Sequence, residues 1–190
     1  MSECCDRPGY QTIFNDRLAR RIVRSYRKRG LNETQLRMVS FLTARGIQDA
    51  SVLEIGGGVG DLQVELLRRG ARAATNLEIS AGYEAEAASL LKQSGMADRV
   101  TRRLLDIATA PEEVEAADVV VLHRVVCCYP DYQRLLAAAA SHARRLPGLL
   151  PSTEEPVQQG TPQLRKRPAS ASGQRVSRIR PPARRNDRRG

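Results

Sequence analysis

Three carboxylates, Glu54, Glu78 and Asp106, each stand at the end of a short apolar run. The first is followed at once by the turn Gly56-Gly57-Gly58-Val59-Gly60-Asp61. Glycine has no Cβ, so such a turn can take positive φ and let a ligand lie directly on the backbone, with N–H groups of the next helix facing it. Dinucleotide turns read Gly-x-Gly-x-x-Gly, with the third glycine permitting close helix packing and the pyrophosphate seated at the helix start. Here that third position is Asp61, whose carboxylate would repel a pyrophosphate. A phosphate loop needs Gly-Lys-Ser/Thr, which the turn also lacks. The turn therefore fits neither phosphate-binding class.

The spacing Glu54-x-Gly56-x-Gly58-x-Gly60, with an acid closing the second run and another closing the third, resembles the class I S-adenosylmethionine-dependent methyltransferases. The resemblance spans about residues 10–145. It implies S-adenosyl-L-methionine as cofactor, a ligand without phosphates whose amino-acid part carries an ammonium and a sulfonium, and an acid before the glycines suits that charge. Glu54, Gly56, Gly58 and Gly60 would hold the methionine portion, Glu78 the ribose, Asp106 the adenine amino group, and Ile107 the ring, with Ile79 also among the cofactor-binding residues. Glu78 lies 22 residues beyond Gly56, near the spacing of roughly 20 at which a carboxylate receives ribose hydroxyls.

The fourth run ends at His123 and Arg124, where the resemblance places methyl transfer. His123 ordinarily titrates near neutrality and suits a general base, or else packs and hydrogen-bonds the backbone. In-line alignment of nucleophile, methyl and sulfur can suffice without a base. The implied activity is in-line methyl transfer to a small-molecule acceptor. No metal site is expected.

Positioning these residues requires strands that end at one edge of a sheet. Apolar runs over 52–55, 73–79, 99–106 and 118–126 alternate with helical patterns, the grammar of right-handed βαβ crossovers and a parallel sheet covered on both faces. The fold class is α/β, a Rossmann-like three-layer sandwich with a mostly parallel sheet. Ahead of it, residues 1–46 carry two amphipathic helices, Asp16 to Arg29 and one opened by the capping pair Asn32 and Gln35. The first offers Tyr26 and a row of arginines, so it reads as a substrate lid able to orient an acidic small molecule, or as a plain covering helix. Residues 47–145 form the cofactor domain, which closes with a helix from Asp131 to Arg145.

From residue 146 the pattern stops. Residues 146–190 hold seven of the ten prolines, and ten Lys/Arg against three acids, which is seven of the ten net positive charges. Such a composition buries too little apolar surface to offset chain entropy and reads as a disordered basic tail. The tail suits nonspecific nucleic-acid contact, so a non-catalytic nucleic-acid or protein-binding module is the rival reading. No fifth strand is expected after Arg145, which leaves the fourth exposed, the C-terminal strands missing and catalysis impaired, as a shifted reading frame in GC-rich DNA would produce. The cysteines form two adjacent pairs, Cys4-Cys5 and Cys127-Cys128, without zinc-site spacing. With no apolar span or leader pattern, the expectation is a cytoplasmic, non-membrane protein.

Overall fold

The structure is a computed structural model that describes residues 7–150. Cys4, Cys5 and almost all of the basic tail lie outside the described residues. Helix α1 (Arg7–Ile13) is followed by α2 (Asp16–Arg29) and α3 (Glu33–Ala44), then by β1 (Ser51–Ile55), α4 (Asp61–Arg68), β2 (Ala73–Glu78), α5 (Glu84–Ser94), β3 (Val100–Leu104), β4 (Ala117–His123), α6 (Tyr132–Ser141) and β5 (Ala143–Leu150). The strands form one sheet in the order β3-β2-β1-β4-β5, every neighbouring pair parallel. The order reverses between β1 and β4, and ligands of open α/β sheets bind in the crevice beyond the carboxyl ends at such a point.

Local chemistry explains the element boundaries. The Asn15 side chain accepts from the Arg17 and Leu18 N–H groups to open α2, and Asn32 and Gln35 form the reciprocal capping box of α3. Asp131 caps α6 by accepting from Arg134 N at 3.0 Å. Gly30 and Gly95 follow α2 and α5 at positive φ, and Gly70 turns the chain after α4 in the same way. On one sheet face α2 to α5 bury Val23, Met38, Leu42, Leu62 and Leu66 against Val52, Val119 and Val121. On the other, α6 packs Leu135 and Ala139 on Leu53, Leu77, Val120 and Leu122.

Three expectations need correction. A fifth strand exists: β5 pairs with β4 from Ala117↔Ala143 to His123↔Leu150, so β4 is an interior strand and the helix expected through Arg145 ends at Ser141. Pro147 pairs opposite Val120 on this strand, which is the outermost of the sheet among the described residues. An outermost strand tolerates proline, because only one of its sides must donate to a ladder. Second, β4 stops at His123 rather than Val126, where Arg124 turns the chain at φ 60°. Third, α1 was not foreseen.

The expected lid helix α2 is packed, with Ala19, Val23 and Tyr26 buried and the Tyr26 hydroxyl donating to Glu65 Oε1 at 2.7 Å. No helix among the described residues is long and apolar enough to cross a membrane.

Candidate functional site

The carboxyl ends of β1, β2 and β4, together with the turn after β3, open on one cavity of about 830 Å³, whose outer wall is α2 and the segment before α3. Of the residues singled out by sequence, Glu54, Gly56, Gly58, Glu78, Ile79, Asp106, Ile107, His123 and Arg124 line it. Gly60 does not. It caps α4 at φ 81°, where a Cβ would run into the Gln63 amide, so its constraint is packing.

Glu78 ends β2 and is 6% exposed. Its Oε1 accepts from the N–H groups of Ile79 (2.8 Å) and Ser80 (3.0 Å), and its Oε2 from Gly58 N at 2.9 Å. Strand end and glycine turn are thus joined through one carboxylate, which keeps lone pairs for further donors. Asp106 lies two residues past β3, in a turn, with Oδ1 accepting from Ala108 N at 3.1 Å. Both of its oxygens are within reach of the Tyr129 hydroxyl, at 2.9 and 2.8 Å. Burial and this carboxylate push the Tyr129 phenol up to about 12. Tyr129 is therefore the side chain that orients Asp106.

Glu54 is 2% exposed, and its Oε2 has no hydrogen-bond partner. Burial first, and Asp61 second, hold its carboxyl well above the usual carboxylate range, while Arg102 opposes the shift. Burial also raises Asp61, whose Oδ2 accepts from Gln35 Nε2 at 3.0 Å. An ammonium donor would pair the orphaned Glu54 Oε2 and favour the ionised carboxylate, so the residues present fit a cationic amino-acid moiety.

Gly57 is a residue the spacing argument passed over. A Cβ there would meet the Asn76 amide and come within 2.7 Å of the Glu54 carboxyl carbon. A Cβ on Gly56, at φ 64°, would lie 2.6 Å from Val125. Backbone must occupy both places bare. Gly58 has room, its nearest neighbour being the Tyr83 ring at 3.6 Å, and burial raises that phenol as well.

His123 is half-buried at the end of β4, and its Nε2 is without a partner. Burial, helped by the Arg124 charge, lowers its pKa and keeps the ring neutral at neutral pH. Cys127 and Cys128 lie near the mouth, the first exposed. No group of three or more potential metal ligands occurs among the described residues.

Comparison with known proteins places this geometry. A family model described as a methyltransferase domain matches residues 52–146, half of the chain. No curated protein matches. Among solved structures, magnesium protoporphyrin IX methyltransferase from Synechocystis with bound S-adenosylmethionine is similar at 21% identity and a TM-score of 0.60, covering 76% of this chain and 73% of that one. The same enzyme with S-adenosylhomocysteine gives 22%, 0.58, 71% and 67%. An O-methyltransferase family protein from Burkholderia thailandensis gives 20%, 0.54, 68% and 38%. These likenesses concern the fold, and the chain spans from 38% to 73% of their lengths. With the domain model covering β1 through the start of β5, and the glycine turn set against acids at the ends of β1 and β2 and in the turn after β3, the chain belongs to the S-adenosylmethionine-dependent methyltransferases of that domain family.

Proposed function

We propose that this chain catalyses in-line methyl transfer from S-adenosylmethionine to a small-molecule acceptor bound between the end of β4 and α2. The observation that carries this reading is a single cavity shared by two chemically distinct halves. Glu54, Asp61, Glu78 and Asp106 line its inner part, while Arg21, Arg29 and Arg124 line its wall with exposed side chains that form no ion pair among the described residues. The acidic half suits a cationic cofactor with ribose hydroxyls and an adenine amino group. The basic half suits an acceptor bearing a carboxylate or phosphate. The cavity lies within the size range of small-molecule sites.

When bound, S-adenosylmethionine supplies an electrophilic methyl group. Glu54 and the turn at Gly56 to Gly58 hold the amino-acid end, Glu78 the ribose, Asp106 and Ile107 the base. Arg124 holds the acceptor's anionic group. His123, neutral and with Nε2 unpartnered, takes the proton that an oxygen or nitrogen nucleophile loses. Because β5 pairs along β4, that strand is not left uncovered.

Calorimetry tests the cofactor half: wild type binds S-adenosylmethionine and S-adenosylhomocysteine, and Glu78→Ala weakens both by about 1.5–3 kcal/mol, the worth of hydrogen bonds to a charged group. Equal binding by wild type and Glu78→Ala would sink the assignment of Glu78. A panel of carboxylated, phosphorylated and neutral acceptors tests the other half, with turnover confined to anionic members.

A further inference from the structure

The third strand carries arginines at 102 and 103, an odd composition for a five-residue sheet strand, and these neighbours have opposite fates. Arg103 lies on the half-open side, paired with Glu113 at 2.9 Å with both side chains well exposed. Arg102 faces the helices, with its side chain only 10% exposed. A guanidinium in such a place costs several kcal/mol unless its donors are met. Arg102 meets most of them with a fork onto Glu84 at the start of α5, Nη2 to Oε1 at 2.7 Å and Nε to Oε2 at 3.3 Å, and with a bond from Nη2 to the Gly58 carbonyl at 2.9 Å, while Nη1 is left without a partner.

The last contact gives the pair a direction. The Gly58 residue is gripped from both sides: its N–H donates to Glu78 Oε2 and its carbonyl accepts from Arg102. Its φ of 51° lies in the left-handed region, so neighbours must define where its two peptide groups point. The register also sets Arg102 opposite Asn76, and Asn76 opposite Glu54, in one row across β3, β2 and β1 beneath the turn. Arg102 thus places one positive charge among the buried groups that the acidic half depends on.

We propose that Arg102 is a positioning residue for the cofactor turn, fixing Gly58 through its carbonyl and thereby aligning Gly58 N–H with Glu78. The proposal rests on the methyltransferase reading for its consequence but not for its geometry. Arg102→Met removes fork and charge, Arg102→Lys keeps charge alone, Glu84→Gln weakens the fork, and Arg103→Met is the control on the neighbouring pair. Two quantities are measured in the cold, well below each variant's melting temperature. They are affinity for S-adenosylhomocysteine by calorimetry, and amide hydrogen exchange at Gly58 with no cofactor present.

Arg102→Met is expected to weaken binding about tenfold to a hundredfold, the equivalent of losing a hydrogen bond to a charged group, and to speed Gly58 exchange. Arg102→Lys recovers part of both, and Arg103→Met leaves both within about twofold of wild type. A purely structural staple would lower the melting temperature while leaving cold affinity and Gly58 exchange in place, and that result overturns the proposal. Should Arg102→Met fail to fold, unchanged affinity and exchange in both Arg102→Lys and Glu84→Gln overturn it equally. A wild type that binds no S-adenosylhomocysteine defeats the methyltransferase reading, and Gly58 exchange in the same variants then decides the clamp separately.

Discussion

Across β1, β2 and β3 at the level of the glycine turn, one sheet face presents Glu54, Asn76 and Arg102, whereas the next row, on the opposite face, presents Ile55, Leu77 and Arg103. The first row is closed over by α4 and α5 and knitted by Gln63 and Glu84, with Asn76 Nδ2 donating to Gln63 Oε1 at 3.0 Å. In the second, Ile55 and Leu77 are buried with the apolar cluster under α6, and Arg103 stays half outside. Apolar burial stabilises with little geometric demand, while a buried polar row costs free energy at each unpartnered atom, and here Glu54 Oε2, Asn76 Oδ1 and Arg102 Nη1 each lack a partner. The sheet keeps the demanding arrangement on the side where the turn needs fixed neighbours and the forgiving one where only cohesion is required.

The contrast breaks most severely on the apolar side. Leu53→Ala, in a side chain with no exposure, is expected to cost about 2–5 kcal/mol of stability in urea unfolding, without touching any polar group of the site. Gly57→Ala comes next: the new Cβ must displace Asn76 or Glu54, at about 1–3 kcal/mol, and S-adenosylhomocysteine affinity should fall in step.

Glu54→Gln sharpens the comparison through pH. The Glu54 carboxyl is held above its ordinary value of 4.5, so the folded chain binds this proton more tightly than the unfolded chain does. Its contribution is therefore fullest below about 4.5 and is lost as pH rises through the raised folded value. Gln mimics the neutral acid, so melting temperatures of the variant and wild type should converge at low pH and separate in the variant's favour as pH rises. A wild-type curve with the same slope as the variant would contradict the assignment. Smallest is Arg103→Met, which removes an exposed pair and should change stability by no more than about 1 kcal/mol, with most of the effect gone in high salt.

Much of this was legible in the sequence because the relevant signals are local. A carboxylate that closes an apolar run announces a strand end, and Glu54 and Glu78 sit where that rule puts them. Helix caps such as Asn32 with Gln35 are equally short-range. What stayed hidden depends on partners far along the chain. Arg102 looks like a blemish in a strand until Gly58, 44 residues away, turns its carbonyl toward it. Gly57 reads as an unassigned member of a glycine cluster until Asn76 folds against it. The strand β5 was missed for another reason: Pro147 and Gly148 argue against an interior strand, and nothing local tells that this one lies outermost in the described sheet.

Arg124 sits at φ 60°, a conformation glycine would take at no steric cost and one that costs a residue bearing a Cβ of order 1–3 kcal/mol. Two selections applied to a library randomised at this codon would therefore pull apart. Survivors of heat challenge would converge on glycine, while survivors of a growth screen that demands methylated product would return arginine, and the distance between the two populations would measure what the site extracts from a strained backbone.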